Sequence, residues 1–210
     1  MGENKLSAKL NKHFAALGAA TAAVAGVGVT QQADAAIVYS GVVNIAIPAT
    51  TAGVYVNMVT GAFGTAAASP GWDINPWGST GFGLFNPSAP AGGVYVNATA
   101  GGSSALNLAP LTLISAANNF GSNLTANTAQ WVLNSDQNLI GVRLQNEANG
   151  NQVHYGWFRV RFGATIGDRQ IVEYAFDDVA GRPIEAGAVP EPASLGLLAL
   201  GALGLAARRR

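Results

Sequence analysis

Apolar and polar residues alternate along much of the central part of the chain. In VHYGWFRVRF, His154, Gly156, Phe158, Val160 and Phe162 fall on one side of an extended backbone, and Tyr155, Trp157, Arg159 and Arg161 on the other. A period of two is the signature of a strand, and it predicts a core-facing phenylalanine side and a water-facing arginine side. Five more stretches share this enrichment in Val, Ile and aromatics: IVYSGVVNIAIP, GVYVNMVTG, GVYVNATAG, NLIGVRLQ and RQIVEYAF. Gly, Asn or Pro bounds most of them, as expected of strands separated by turns.

The turns order these strands. NEANGN (Asn146–Asn151) provides hairpin chemistry, with Gly150 available for positive φ, and GATIGDR reverses the chain again. The prediction is a three-strand antiparallel meander in which Arg159 or Arg161 lies across from Glu173, an exposed pair contributing about 0.2–1 kcal/mol. GVYVN occurs at Gly53–Asn57 and again at Gly93–Asn97 with dissimilar flanks, which reads as two similar strands of one body. No helical pattern of parallel-sheet crossover length separates the strands. LISAANNFG, around Leu113–Gly121, is the best short-helix candidate and otherwise a loop. The predicted class is therefore all-β, an antiparallel β-sandwich or jelly-roll-like body.

The two ends break this pattern. Lys5, Lys9 and Lys12 precede the uncharged run Phe14–Val29, and Ala33 and Ala35 form an A-x-A site before Ala36. That is the layout of a secretory signal peptide over 1–35, with a signal helix too short and too rich in Gly and Ala for a lasting anchor. The body then runs over 36–186. The tail, 187–210, holds Val189, Pro190, Glu191 and Pro192, then Ala193–Ala207 without a charge, then Arg208, Arg209 and Arg210. As a short C-terminal hydrophobic helix the run would extend about 22 Å, less than a bilayer core of roughly 30 Å. The arginines can snorkel, and by the positive-inside rule they place the preceding domain outside.

This tail resembles the PEP-CTERM protein-sorting signal of Gram-negative bacteria, with Ala193 at a place often held by serine. The resemblance implies recognition by exosortase, a membrane-embedded transpeptidase-like enzyme, and removal of the tail as the protein reaches the cell surface or an exopolysaccharide matrix. It also implies the secretion translocon as a partner and transient residence in the inner membrane. The body is similar to other exported proteins with such tails, most closely over Val153–Pro192, and that similarity brings no activity with it.

Charge narrows the function. Between Ala36 and Ser135 the only charged side chain is Asp73; Asp136–Ala188 carries seven acids and five arginines, and the body has no lysine. Such a mildly acidic surface argues against nucleic acid. The chain has no cysteine, which removes disulfides and thiol chemistry. His154 is the body's one histidine and sits on the inferred core side, so it reads as structural. A hydrolase would need a Ser and an acid assembled around it.

DINPWG (Asp73–Gly78) begins like a calcium loop but has Leu84 where the twelfth-position Glu belongs, and it reads better as an Asx turn. Asp136 with Asn138, or Asp177 with Asp178, are the remaining oxygen donors for calcium; no cofactor or metal is expected. Trp72 and Trp77, with Asp73 and Asn75, lie in a Gly/Pro-rich segment. They read first as packing residues and second as a sugar-stacking platform. Trp131 and Trp157 read as structural. The expectation is a non-enzymatic, exported surface or matrix protein with a structural or adhesive role. The alternatives are a carbohydrate-binding module and, less favoured, a secreted hydrolase.

Overall fold

A computed structural model describes residues 37–190 other than 67–69, 100–102, 123 and 126–127. The expected signal helix with Ala33, Ala35 and Ala36, and the tail from Glu191 to Arg210, lie outside the described residues. In chain order the strands are β1 (Ile37–Tyr39), β2 (Ile45–Ala46), β3 (Tyr55–Val56), β4 (Phe63–Gly64), β5 (Asn75–Trp77), β6 (Gly83–Phe85) and β7 (Tyr95–Asn97). They continue with β8 (Leu113–Ile114), β9 (Asn119–Gly121), β10 (Leu124–Thr125), β11 (Ser135–Asn146), β12 (Gln152–Phe162), β13 (Arg169–Asp177) and β14 (Ile184–Glu185). Two short 3-10 turns complete the described elements, so the domain is all-β as expected.

The meander is the centre of the fold. β11, β12 and β13 pair antiparallel, and β1 and β2 extend the sheet beyond β13 while β7 and β9 extend it beyond β11. The predicted hairpin turn forms at Glu147–Asn149, closed by Gly150 at φ +63°. Arg159 stands directly opposite Glu173, and their Nε and Oε1 atoms are 2.6 Å apart. Tyr39 on β1 donates its hydroxyl to the other oxygen of Glu173, so the pair is knitted into the neighbouring strand. That hydrogen bond to a carboxylate is the main reason the Tyr39 hydroxyl is pushed up to about 12.

One face of this sheet matches the alternation. Phe158, Val160 and Phe162 are buried with Ile140, Val142, Leu144, Ile171 and Phe176. Val54 and Val56 from the β3 segment, Ile74, and Leu84 of β6 cover them. β3 pairs with β4, and β6 pairs with both β5 and β10; a bridge between Val56 and Ile74 joins the two groups. Phe82, Trp131 and Phe162 meet with ring centroids 5.2–5.9 Å apart. Burying each such aromatic contributes roughly 1.5–3 kcal/mol.

The opposite face corrects the alternation argument. Tyr155 and Trp157 do not face water: Trp157 is fully buried with Leu139, Ala175, Val96, Leu108, Ile114, Ile184 and Ala186. A second cover causes this. β8 pairs with β14 across a long stretch of sequence, and the segment leading to β8 lies over Gly141, where a Cβ would strike Val96, Leu108 and Ile114. Of this side of the strand, Arg161 alone is exposed, and Arg159 is partly covered. The LISAANNFG stretch is neither helix nor simple loop; it forms β8, a turn and β9. The two GVYVN copies also diverge in place, since the first supplies β3 of a small sheet and the second β7 of the large one.

Arg169 ties the layers together. It is buried at the start of β13, and its guanidinium donates to the carbonyls of Gly78, Gly81, Pro48 and Ile166 while lying 5.6 Å from the Phe82 ring centroid. Burial lowers its pKa. Its planar fork reaches several oxygens at once, which a lysine ammonium cannot. Arg169→Lys should therefore lose about 2 kcal/mol, and Arg169→Met about 3 kcal/mol or more, through orphaned buried carbonyls. Urea titration of the folded domain checks this; a change below about 1 kcal/mol for Arg169→Met would mean the clamp is dispensable.

Candidate functional site

The residues singled out for chemistry are mostly engaged in building the domain. Asp73 is 3% exposed, and its Oδ2 accepts the Met58 N–H at 2.7 Å. It thus caps the turn after β3 rather than its own loop, which corrects the Asx-turn expectation. Desolvation raises this carboxyl to about 8, with Glu147 adding a smaller repulsion. Asn75 is also buried. Its Nδ2 donates to the carbonyls of Ala52 and Val54, and its backbone N–H donates to the Tyr95 hydroxyl. The Asn75 amide is committed to these backbone groups, whereas Asp73 also reaches the cavity beside Trp72.

The two loop tryptophans are partly buried. Trp77 lies across Gly83, where a Cβ would come within 2.9 Å of the indole. Trp72 contacts Tyr55 edge-on at 4.9 Å and stacks with Phe85 at 5.7 Å. Phe85 is 41% exposed, so Tyr55, Trp72 and Phe85 form an aromatic cluster at the surface of the small sheets. Beside it Trp72 and Asp73 border a cavity of about 170 Å³, which Ser88, Gln145, Glu147 and Asn151 also line. These four were not foreseen. Gln145 at the end of β11 and Glu147 and Asn151 of the β11–β12 turn are far in sequence from the loop they meet, and no local spacing announces that meeting.

The histidine and two of the calcium candidates, Asn138 and Asp177, turn inward as well, while Asp136 and Asp178 are exposed. His154 is fully buried, with Nδ1 2.7 Å from the Asp177 carbonyl oxygen and its ring edge-on to Phe176. It lies on the buried side of its strand, as the alternation predicted. Asn138 is fully buried too; its Oδ1 accepts from Val132 N–H and Asn107 Nδ2, and its own Nδ2 donates to the Val132 and Val160 carbonyls. Its oxygen is therefore not free for calcium. Asp177 accepts the Val179 N–H and lies 3.7 Å from Arg182. Among the described residues no group of three or more His, Cys, Asp or Glu is placed to hold a metal ion.

The chain leaves the domain in an ordered way. After β14, Ala186 donates its N–H to the Thr112 carbonyl, and Ala188 closes a turn on Glu185. Trp157 Nε1 donates to the Ala188 carbonyl at 3.0 Å, the last such tie before the tail. Val189 and Pro190, the first residues of the predicted motif, are exposed. Among the described residues no helix is long and apolar enough to cross a membrane; the runs Phe14–Val29 and Ala193–Ala207 lie outside them.

Comparison with protein families matches residues 188–210 to the PEP-CTERM protein-sorting motif. No curated protein and no solved structure matches the chain.

The Asp73 carboxyl makes stability pH-dependent. Its folded pKa of about 8 exceeds the ordinary 3.8, so the folded domain holds a proton that the unfolded chain releases between those values. Stability from this group is complete below the lower value and declines as pH rises towards the upper one. Asp73→Asn keeps an acceptor for Met58 and removes the titration. Thermal melts at about pH 5 and about pH 9 should show a smaller loss for the variant than for the parent. Identical losses in both would refute the assignment to Asp73.

Proposed function

We propose, from the PEP-CTERM protein-sorting motif that this chain carries over residues 188–210, that the protein is a non-enzymatic structural or adhesive component of the bacterial surface or of an exopolysaccharide matrix. The motif marks an exported protein that exosortase processes at the cell envelope. In this reading the translocon passes the chain by its N-terminal leader. The uncharged run Ala193–Ala207, held by Arg208, Arg209 and Arg210, then keeps it briefly in the inner membrane. The observation that carries the proposal is the position of the motif, which starts at Ala188, the residue that the Trp157 indole clasps to the β domain. The non-enzymatic part is supported by the commitment of Asp73, Asn75, Asn138 and His154 to internal hydrogen bonds.

A second reading is favoured by one specific observation, the cavity where Trp72 meets Gln145, Glu147 and Asn151. An indole beside amides and a carboxylate suits sugar hydroxyls, and it would make the domain a carbohydrate-binding module. Its contact set overlaps the one the sequence suggested: Trp72 and Asp73 line the cavity, Asn75 and Trp77 do not, and Gln145, Glu147 and Asn151 join from around the β11–β12 turn.

Two measurements test these readings. The intact mass of the extracellular protein should correspond to a chain beginning at Ala36 and shortened at its C-terminus; an uncut chain in the cytosol overturns the main proposal. For the second reading, the host's polysaccharide should bind the parent protein and bind Glu147→Gln or Trp72→Ala about tenfold or more weakly. Equal retention of all three on the polysaccharide would discard it.

A further inference from the structure

The surface around the chain exit is apolar. Leu111 is 70% exposed, Leu113 53% and Val189 43%. Strand pairing brings these distant residues together. Leu111 donates its N–H to the Ala186 carbonyl, Leu113 stands opposite Glu185 in the β8–β14 pair, and Val189 follows the turn that Ala188 closes on Glu185. In this strip, Leu113 lies on the solvent side of the β8–β14 pair, whose other side, Ile114 and Ile184, packs with Trp157, and Val189 stands where the described chain ends.

Leu111 adds an independent observation. Its φ of +66° lies in the left-handed region, where a branched apolar residue is an outlier and glycine or asparagine would be at ease. The side chain so displayed is mostly exposed and contributes little to the core. A strained backbone that presents a leucine to the outside points to a role outside the domain.

The length of chain beyond the exit identifies the occupant. Four residue steps separate Val189 from Ala193, the start of the uncharged run, and fully extended they cover at most about 14 Å. With that run inserted, the strip is confined to the headgroup region. Glu185 stands among the apolar residues, and Asp177 nearby is matched by Arg182 at 3.7 Å, so the strip has no positive excess to attract anionic lipid.

We propose that Leu111, Leu113 and Val189 dock on the headgroup–acyl boundary of a zwitterionic bilayer for as long as the sorting tail is uncut. This rests on the reading of the tail as a membrane-inserted segment. Three side chains inserted shallowly bind weakly alone, but a tether of a few residues supplies an effective concentration in the millimolar range and keeps them engaged. Removal of the tail ends that advantage and frees the domain.

The chain has no cysteine, so single cysteines can carry an environment-sensitive dye in the full chain reconstituted in phosphatidylcholine vesicles. Three positions suffice: Leu113 in the strip, Phe63 at 58% exposure under the opposite cover, and Leu200 in the tail. Dye at 113 and 200 should shift to shorter wavelength and be quenched about twofold by doxyl-labelled lipid, while dye at 63 stays water-like. Leu111→Asn, which suits the backbone, should reduce quenching at 113 without altering that at 200. Quenching at 200 with a water-like 113 overturns the docking and leaves the tail reading intact. A blue shift at 113 without lipid quenching means that the tail or a second copy covers the strip, which also overturns it. Without quenching at 200, both readings fall.

Discussion

A guanidinium surrounded by backbone carbonyls holds this domain together. Much of the cover over the central meander is irregular, with strands of two or three residues, many glycines and no disulfide to brace it. Such segments bury carbonyl groups that no ladder satisfies, and each would be destabilising if left alone. Arg169 answers several of them at once, drawing the Pro48, Gly78, Gly81 and Ile166 oxygens around one planar cation and seating Phe82 against the core. The arrangement lets loops do the work of strands. Asn138 plays a similar part at the start of β11, and Asp73 at the turn after β3.

The local parts of the fold were readable from residue order. The meander, the positive φ at Gly150, an arginine of β12 across from Glu173 and the inward side of His154 all depend on neighbours close in the chain, where periodicity and turn chemistry act. Which arginine it is, Arg159 and not Arg161, periodicity leaves open. The burial of Trp157 was not readable. Its cover comes from Leu108, Ile114 and Ile184, and the pairing of β8 with β14 joins residues with no shared pattern. The segment Leu113–Gly121 has the small and polar residues of a loop, and only pairing partners elsewhere turn its ends into strands.

The candidate site shows the same division. The sorting motif is a linear signal, complete in sequence, and the family comparison finds it there. The sugar-binding alternative is a spatial matter. Asp73 and Asn75 sit next to the tryptophans in sequence, yet their hydrogen bonds go to the backbone on either side of β3, at Met58, Ala52 and Val54. Asp73 still reaches the cavity beside Trp72, but most of the other polar groups there, Gln145, Glu147 and Asn151, arrive from around the β11–β12 turn. A polar residue in a nearly uncharged stretch is more readily used as internal cement than as a contact, because so few others are at hand.

The clasp between the Trp157 indole and the Ala188 carbonyl has a mechanical consequence. Tension applied through the tail reaches the domain at a residue hydrogen-bonded to the innermost strand of the meander, with the β8–β14 pair directly behind it. Load is thereby delivered to the stiffest part of the molecule instead of peeling an outer loop. A domain gripped in this way meets a pull on its end with the ladder of the meander before any outer loop.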